Sequence, residues 1–196
     1  MNTPSHAILN LALLGHRSRS QLNGPIFWGA LLPDLAMFGF YAWAKLVARL
    51  DEATIWRSEY YRPAWQTVFD IGNSIPLALG MIFLALALRR RYPHRSRLAT
   101  AAVFGGLSVI LHCLQDLPLH VDDGHRHFWP FSNFRFESPV SYWDPNHHGA
   151  WAALGEATMV LVASLWVWRL LRSPWSRGLL VASNLLMLLF YIQFYR

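Results

Sequence analysis

The chain has 196 residues, of which 54% are hydrophobic, 15% aromatic and only 14% charged. Soluble domains usually carry about 25% charged residues, so an ordinary soluble enzyme is excluded, as are disordered, collagen-like and disulfide-scaffold chains. The net charge of +6 comes almost wholly from arginine, with Lys45 the one lysine, and the cations lie between apolar runs, so no nucleic-acid partner is expected.

The chain opens on a short apolar stretch, His6–Gly15. No cation precedes it and His16-Arg17-Ser18-Arg19 follows it, the reverse of a signal peptide, so it is expected to be retained. Ser5–Ser18 and Gly24–Asp34 read as a helical hairpin turned at Gln21-Leu22-Asn23-Gly24-Pro25, with Pro33-Asp34 interrupting its second arm. Leu35–Leu50 either runs on through a bilayer or lies along its surface. Ile71–Leu88, Leu98–Leu114 and Gly178–Tyr195 approach the crossing length of about 20 residues. Ala157–Trp168 reaches it once Glu156 and Arg169 are included. Asp144-Pro145 reads as the N-cap and first residue of the helix that carries His147, His148 and Glu156. The expected architecture is a single all-α domain, an integral membrane bundle of about five or six helices. A long His- and aromatic-rich loop, residues 115–150, connects two of them.

The charges separate by side. Arg17, Arg19, Arg89, Arg90, Arg91, Arg95, Arg97, Arg169, Arg172 and Arg177 occupy one set of connections, and no carboxylate joins them. The positive-inside rule makes that side cytoplasmic and turns the 115–150 loop outward, which places the chain in the cell's inner membrane. Trp56, Trp65, Trp129, Trp143 and Trp151 then fall near the outer surface, and Trp166, Trp168 and Trp175 near the inner one, as aromatic belts do.

Ionisable groups within spans are expensive and mark function. Counting ~1.5 Å per residue up from each Arg-rich end, Asp34 lies at ~15 Å, His6 at ~18 Å, His112 at ~21 Å and Glu156 at ~22 Å. Asn73 follows at ~24 Å and Asp116 at ~27 Å. Groups from separate helices thus share one layer in the outer half of the bilayer. They predict a cavity, open to the outer face and lined by His6, Asp34, His112, Asp116 and Glu156, with no polar residues continuing inward below Asp34. Imidazole and carboxylate together suit a divalent metal, zinc foremost, with manganese or iron as alternatives. His112 and Asp116, at i and i+4, project from one helix face, and a cation explains how several carboxylates stay ionised there. Cys113 is read as a packing residue.

The loop's His120, His125 and His127 admit three readings: a second metal site, an entry funnel or a solvated turn. His147 and His148 are placed at the mouth, whereas His16 and His94 lie among the inner arginines and carry no role. Arg126 and Arg135 are candidate anion clamps; the plainer reading pairs them with Asp122, Asp123 or Glu137.

Thr3-Pro4-Ser5-His6, Gly29-Ala30-Leu31-Leu32-Pro33-Asp34, the His112/Asp116 pair, Phe128-Trp129-Pro130-Phe131 and Glu156 at the head of an apolar helix occur in this order. The combination resembles the family of inner-membrane metal-dependent hydrolases, over most of residues 1–170. That family is distantly similar to zinc-dependent phospholipase C and single-strand nucleases. His112 through Leu117-Pro118-Leu119-His120 is similar to their His-x3-Asp, Pro-Leu-His segment, although the spacing to His120 is shorter. The resemblance implies that His6, Asp34, His112, Asp116 and His120 hold metal. One departure stands out: the family commonly carries a histidine where this chain has Asn73, with Asp70 one turn earlier as a candidate substitute.

Three functions compete. The first is hydrolysis of a phosphoester or lipid-linked substrate, with Asp34 or Asp116 as general base and Arg135 or Arg126 holding an anionic group. The second is non-catalytic metal binding or transport. The third is a structural membrane protein in which the polar layer is helix glue.

Overall fold

A computed structural model describes residues 1–195. The described residues form helices joined by turns and one long loop, with no strand among them. The order is α1 (Thr3–Leu14), α2 (Asn23–Ala42, ending in a π turn Trp43–Val47), α3 (Glu52–Thr54, with a π turn Ile55–Glu59), α4 (Pro63–Gly72), α5 (Ile75–Arg91), α6 (Ser96–Asp116), α7 (Gly149–Leu170) and α8 (Pro174–Tyr195). Five segments are long and apolar enough to cross a membrane: Ser20–Val47, Pro63–Arg91, Pro93–Leu119, Gly149–Leu170 and Pro174–Tyr195.

Local chemistry sets the ends. Prolines open α1, α4 and α8, where a missing N–H costs nothing. The Ser74 hydroxyl caps α5 by accepting from Leu77 N. Asn73 and Ser74 break what would otherwise be one helix into α4 and α5. The expected interruption at Pro33-Asp34 is absent, and α2 runs straight through it. Proline removes the N–H that would bond the Gly29 carbonyl, but neighbouring helices make this tolerable in an apolar setting. α4 packs closely on this stretch: a Cβ at Gly72 would sit 3.1 Å from Pro33 Cα. The α7 start also differs from expectation. Asp144 caps a short 3-10 turn, Pro145–His147, and α7 begins only at Gly149, after His148 in the left-handed region (φ 61°).

The packing is inverted relative to a soluble bundle. His6, Asn10, Ser108, His112 and Glu156 are fully buried, while Phe83, Leu161, Leu165, Leu179 and Leu186 face outward. Such an apolar exterior around a polar interior is what a lipid solvent selects. Three apolar clusters complete the interior, the smallest of them Ala78, Val109 and Cys113 between α5 and α6. Ile8, Leu11, Leu22, Ile26, Val160, Val167 and Leu180 fill the half nearer the Arg-bearing ends. Phe40, Ala44, Ile55, Tyr60 and Phe69 pack where α2 and α4 meet the α3 segment. The closest backbone approach that shapes the site is at Gly29: a Cβ there would lie 2.3 Å from Gly105 O and 2.9 Å from Ser108 Cβ. Glycine therefore lets α2 lie directly against α6.

Candidate metal centre

Asp116 is the hub. It ends α6 one turn after His112, whose Nε2 lies 3.1 Å from Asp116 Oδ2. His6 of α1 reaches in from the other side, with Nε2 3.1 Å from Asp116 Oδ1. The His6 and His112 rings stack with centroids 3.7 Å apart. Asp34, midway along α2, brings Oδ1 to 3.6 Å from His112 Nε2. Ligand atoms of His6, Asp34 and His112 all lie within 4.8 Å of one another. His120, just beyond α6, places Nε2 3.5 Å from Asp116 Oδ1.

The other ring nitrogens decide what the Nε2 atoms can do. His112 Nδ1 is 2.8 Å from the Ala30 carbonyl, which can only accept, so Nδ1 carries hydrogen. His120 Nδ1 faces Asp123 Oδ2 at 2.9 Å, and His6 Nδ1 faces Gln115 Oε1 at 2.8 Å. In a neutral ring Nε2 is then a lone pair. The Nε2 atoms of His6, His112 and His120 are buried without a hydrogen-bond partner, yet each faces a carboxylate oxygen. A lone pair against an anionic oxygen is repulsive unless a cation lies between them. The donor set therefore fits a divalent ion, with outer hydrogen bonds of the kind that orient metal-binding histidines.

The start of the chain clasps the same carboxylates. The Met1 nitrogen lies 2.6 Å from Asp116 Oδ1. The Asn2 amide donates to Glu156 Oε1 at 2.9 Å, and the Thr3 hydroxyl donates to Asp34 Oδ2 at 2.5 Å. Glu156 is thus held beside the cluster through Asn2, outside the close His6–Asp34–His112 group, with Oε2 buried and without a hydrogen-bond partner. The expected open cavity is closed over at this layer. His6 and His112 are fully enclosed, and Asp34, at 9% exposure, is the most accessible of the three. The loop accounts for this, because Tyr142 packs edge-on against His120 and is itself buried.

The loop residues divide. Arg126 does not pair with Asp122, Asp123 or Glu137; its backbone N–H and Nε both bond the fully buried Asp70. Asp70 is thereby committed as a counter-ion and is not free to serve as a metal ligand. Asn73 instead offers its carbonyl to Cys113 Sγ (3.3 Å) and His127 Nδ1 (3.1 Å). Arg135 is half-buried and donates to the Gly124 carbonyl at 2.7 Å, with no ion pair among the described residues. Burial holds His125 down to about 3, so the ring is neutral, and its Nδ1 is 3.9 Å from Asp70. Burial also disfavours the charged form of His120, but its bonds to Asp116 and Asp123 outweigh that and raise it to about 9, so without an ion a proton on Nε2 takes the cation's place against Asp116 and must leave when metal binds. His147 bonds Asp144 at 2.7 Å and His148 is exposed.

Polar residues do continue inward below Asp34, contrary to expectation. Asn10 and Ser108, both fully buried, lie one turn inside His6 and His112 on their helices. The polar path ends there, because the apolar cluster around Leu11, Leu22, Ile26 and Val160 closes the inner half. Single amides and hydroxyls in apolar helices have no spacing signature, so sequence reasoning had no means of singling out Asn10, Ser108 or Gln115. No protein-family model, curated protein or solved structure matches the chain.

Proposed function

We propose that the chain is a multi-pass protein of the cell's inner membrane that hydrolyses a phosphoester or lipid-linked substrate with a divalent metal, zinc foremost. The supporting observation is the convergence of three partnerless Nε2 atoms on two carboxylates. His6, Asp34, His112 and Asp116 would hold the ion, with His120 and Glu156 beside them. A divalent ion held by these residues would polarise a substrate oxygen and make water a stronger acid. Asp34, the most accessible carboxylate of the close group, takes a proton from the attacking water as its oxygen bonds to phosphorus and the P–O bond to the alcohol breaks, and it returns that proton to the departing alkoxide oxygen. Thr3 holds the other Asp34 oxygen and so orients the base. Asp116, fully enclosed, keeps the imidazoles in register. Arg135 holds the anionic end of the substrate. The Arg-rich helix ends face the cytoplasm, as the positive-inside rule requires.

Transport is disfavoured by the apolar plug between the polar layer and the Arg-bearing ends. The reading is tested by elemental analysis of purified protein beside His112→Ala and Asp34→Ala. Stoichiometric metal in the parent and its loss in both variants is the expected result. A parent that holds no metal and refuses zinc and manganese on titration overturns it.

A further inference from the structure

His112 and His6 point the same nitrogen at Asp116, but only His112 has a backbone carbonyl to set its tautomer. What sets His6 is a chain of side chains. Asn10 Nδ2 lies 2.8 Å from the Ser108 carbonyl and 2.8 Å from Ser108 Oγ. The carbonyl can only accept. The Ser108 hydroxyl spends its one hydrogen on the Ile26 carbonyl, 2.6 Å away, so it too can only accept from Asn10. The Asn10 side chain must therefore turn its NH2 towards Ser108 and its oxygen away. That oxygen is 2.9 Å from Gln115 Nε2, so Gln115 must donate there and present Oε1 on its far side. His6 Nδ1 lies 2.8 Å from that Oε1. An amide oxygen has no hydrogen to give, and His6 Nδ1 must carry the proton.

We infer that Ser108, Asn10 and Gln115 are positioning residues that fix the His6 tautomer, leaving Nε2 as a lone pair aimed at Asp116 and the ion. The relay begins on two backbone carbonyls, Ile26 and Ser108, so its polarity has one solution. It joins α2, α6 and α1, the helices that bring Asp34, His112 and His6 together. Its value to the site rests on the metal reading above, but the tautomer itself does not. An unsupported imidazole divides between two tautomers, and one of them presents N–H to the ion. Outer hydrogen-bond partners of metal-binding histidines are worth roughly 10- to 100-fold in affinity.

The test is nitrogen NMR of the full chain with isotope-labelled histidine in lipid nanodiscs, with His6 assigned by the signal lost in His6→Gln. Metal-free parent protein should show hydrogen on His6 Nδ1; hydrogen confined to Nε2 overturns the relay. Gln115→Met keeps the bulk and removes the acceptor. It should mix the His6 tautomers and weaken zinc binding roughly 10- to 100-fold, while His112, held by Ala30, keeps its signal as a control for folding. Gln115→Glu restores an acceptor oxygen and should restore both readouts. Asn10→Leu keeps the bulk, removes the oxygen that orients Gln115 and should mix the tautomers as well, so it serves if Gln115→Met loses the His112 signal. An unchanged His6 signal in either variant, with His112 intact, refutes the relay. A parent that binds no zinc yet keeps hydrogen on Nδ1 overturns the metal reading and leaves the relay standing.

Discussion

The Gly29→Ala substitution probes how closely α2 must lie against α6. The added Cβ would stand 2.3 Å from Gly105 O, whereas carbon and oxygen ordinarily meet at about 3.3 Å. The helices must separate by ~1 Å at that point. Two hydrogen bonds cross there: Ala30 carbonyl to His112 Nδ1 at 2.8 Å, and Ser108 Oγ to Ile26 carbonyl at 2.6 Å. A shift of ~1 Å takes both beyond hydrogen-bond reach. Overpacking costs about 1–3 kcal/mol and each of the two lost bonds about 1 kcal/mol, so destabilisation of roughly 3–5 kcal/mol is expected. Gly39→Ala lies on the same helix, where a Cβ meets nothing within 4 Å; helix propensity should make it neutral or stabilising by up to ~1 kcal/mol. Equilibrium unfolding in mixed micelles, followed by tryptophan fluorescence, measures both. Equal midpoints for Gly29→Ala and Gly39→Ala would refute the argument from close approach.

Other expectations follow from single contacts. Asp70→Asn leaves Arg126 without its counter-ion at a fully buried position and should destabilise the fold by ~3 kcal/mol; in a double-mutant cycle with Arg126→Gln much of that loss should be recovered. Asp116→Asn should lower metal content far more than Glu156→Gln, because Asp116 faces His6, His112 and His120 while Glu156 faces Asn2. Arg135→Gln should raise KM for a chromogenic phosphodiester without altering metal content; equal KM removes Arg135 from substrate binding. Trypsin should cut between Arg89 and Arg97 in inside-out membrane vesicles and spare that stretch in right-side-out ones; the opposite pattern inverts the orientation.

The fold class was legible because uncharged runs of crossing length leave few alternatives. So was the common depth of His6, Asp34, His112 and Asp116, since helical rise converts sequence distance from an arginine into height. Azimuth was not legible, and depth alone could not separate Glu156, held by Asn2, from the close group. The unbroken path of α2 through Pro33 was hidden because the helix packed against it there, at Gly72, lies far along the chain. The Asp70–Arg126 pair spans 56 residues and depends on how the long loop folds back over the α4–α5 break. Gln115 was invisible for a different reason: its meaning comes from which atoms of Asn10 and Ser108 it meets.

Cys113 is fully enclosed in the last turn of α6, its thiol donating to the Asn73 carbonyl. The chain's sole thiol is thus shielded from aqueous alkylating reagents. Reporter groups can be attached through cysteines introduced one at a time on the loops or lipid-facing helices, in an otherwise native background. Distances between such probes can then follow whether the loop around Tyr142 lifts from His120 when substrate arrives.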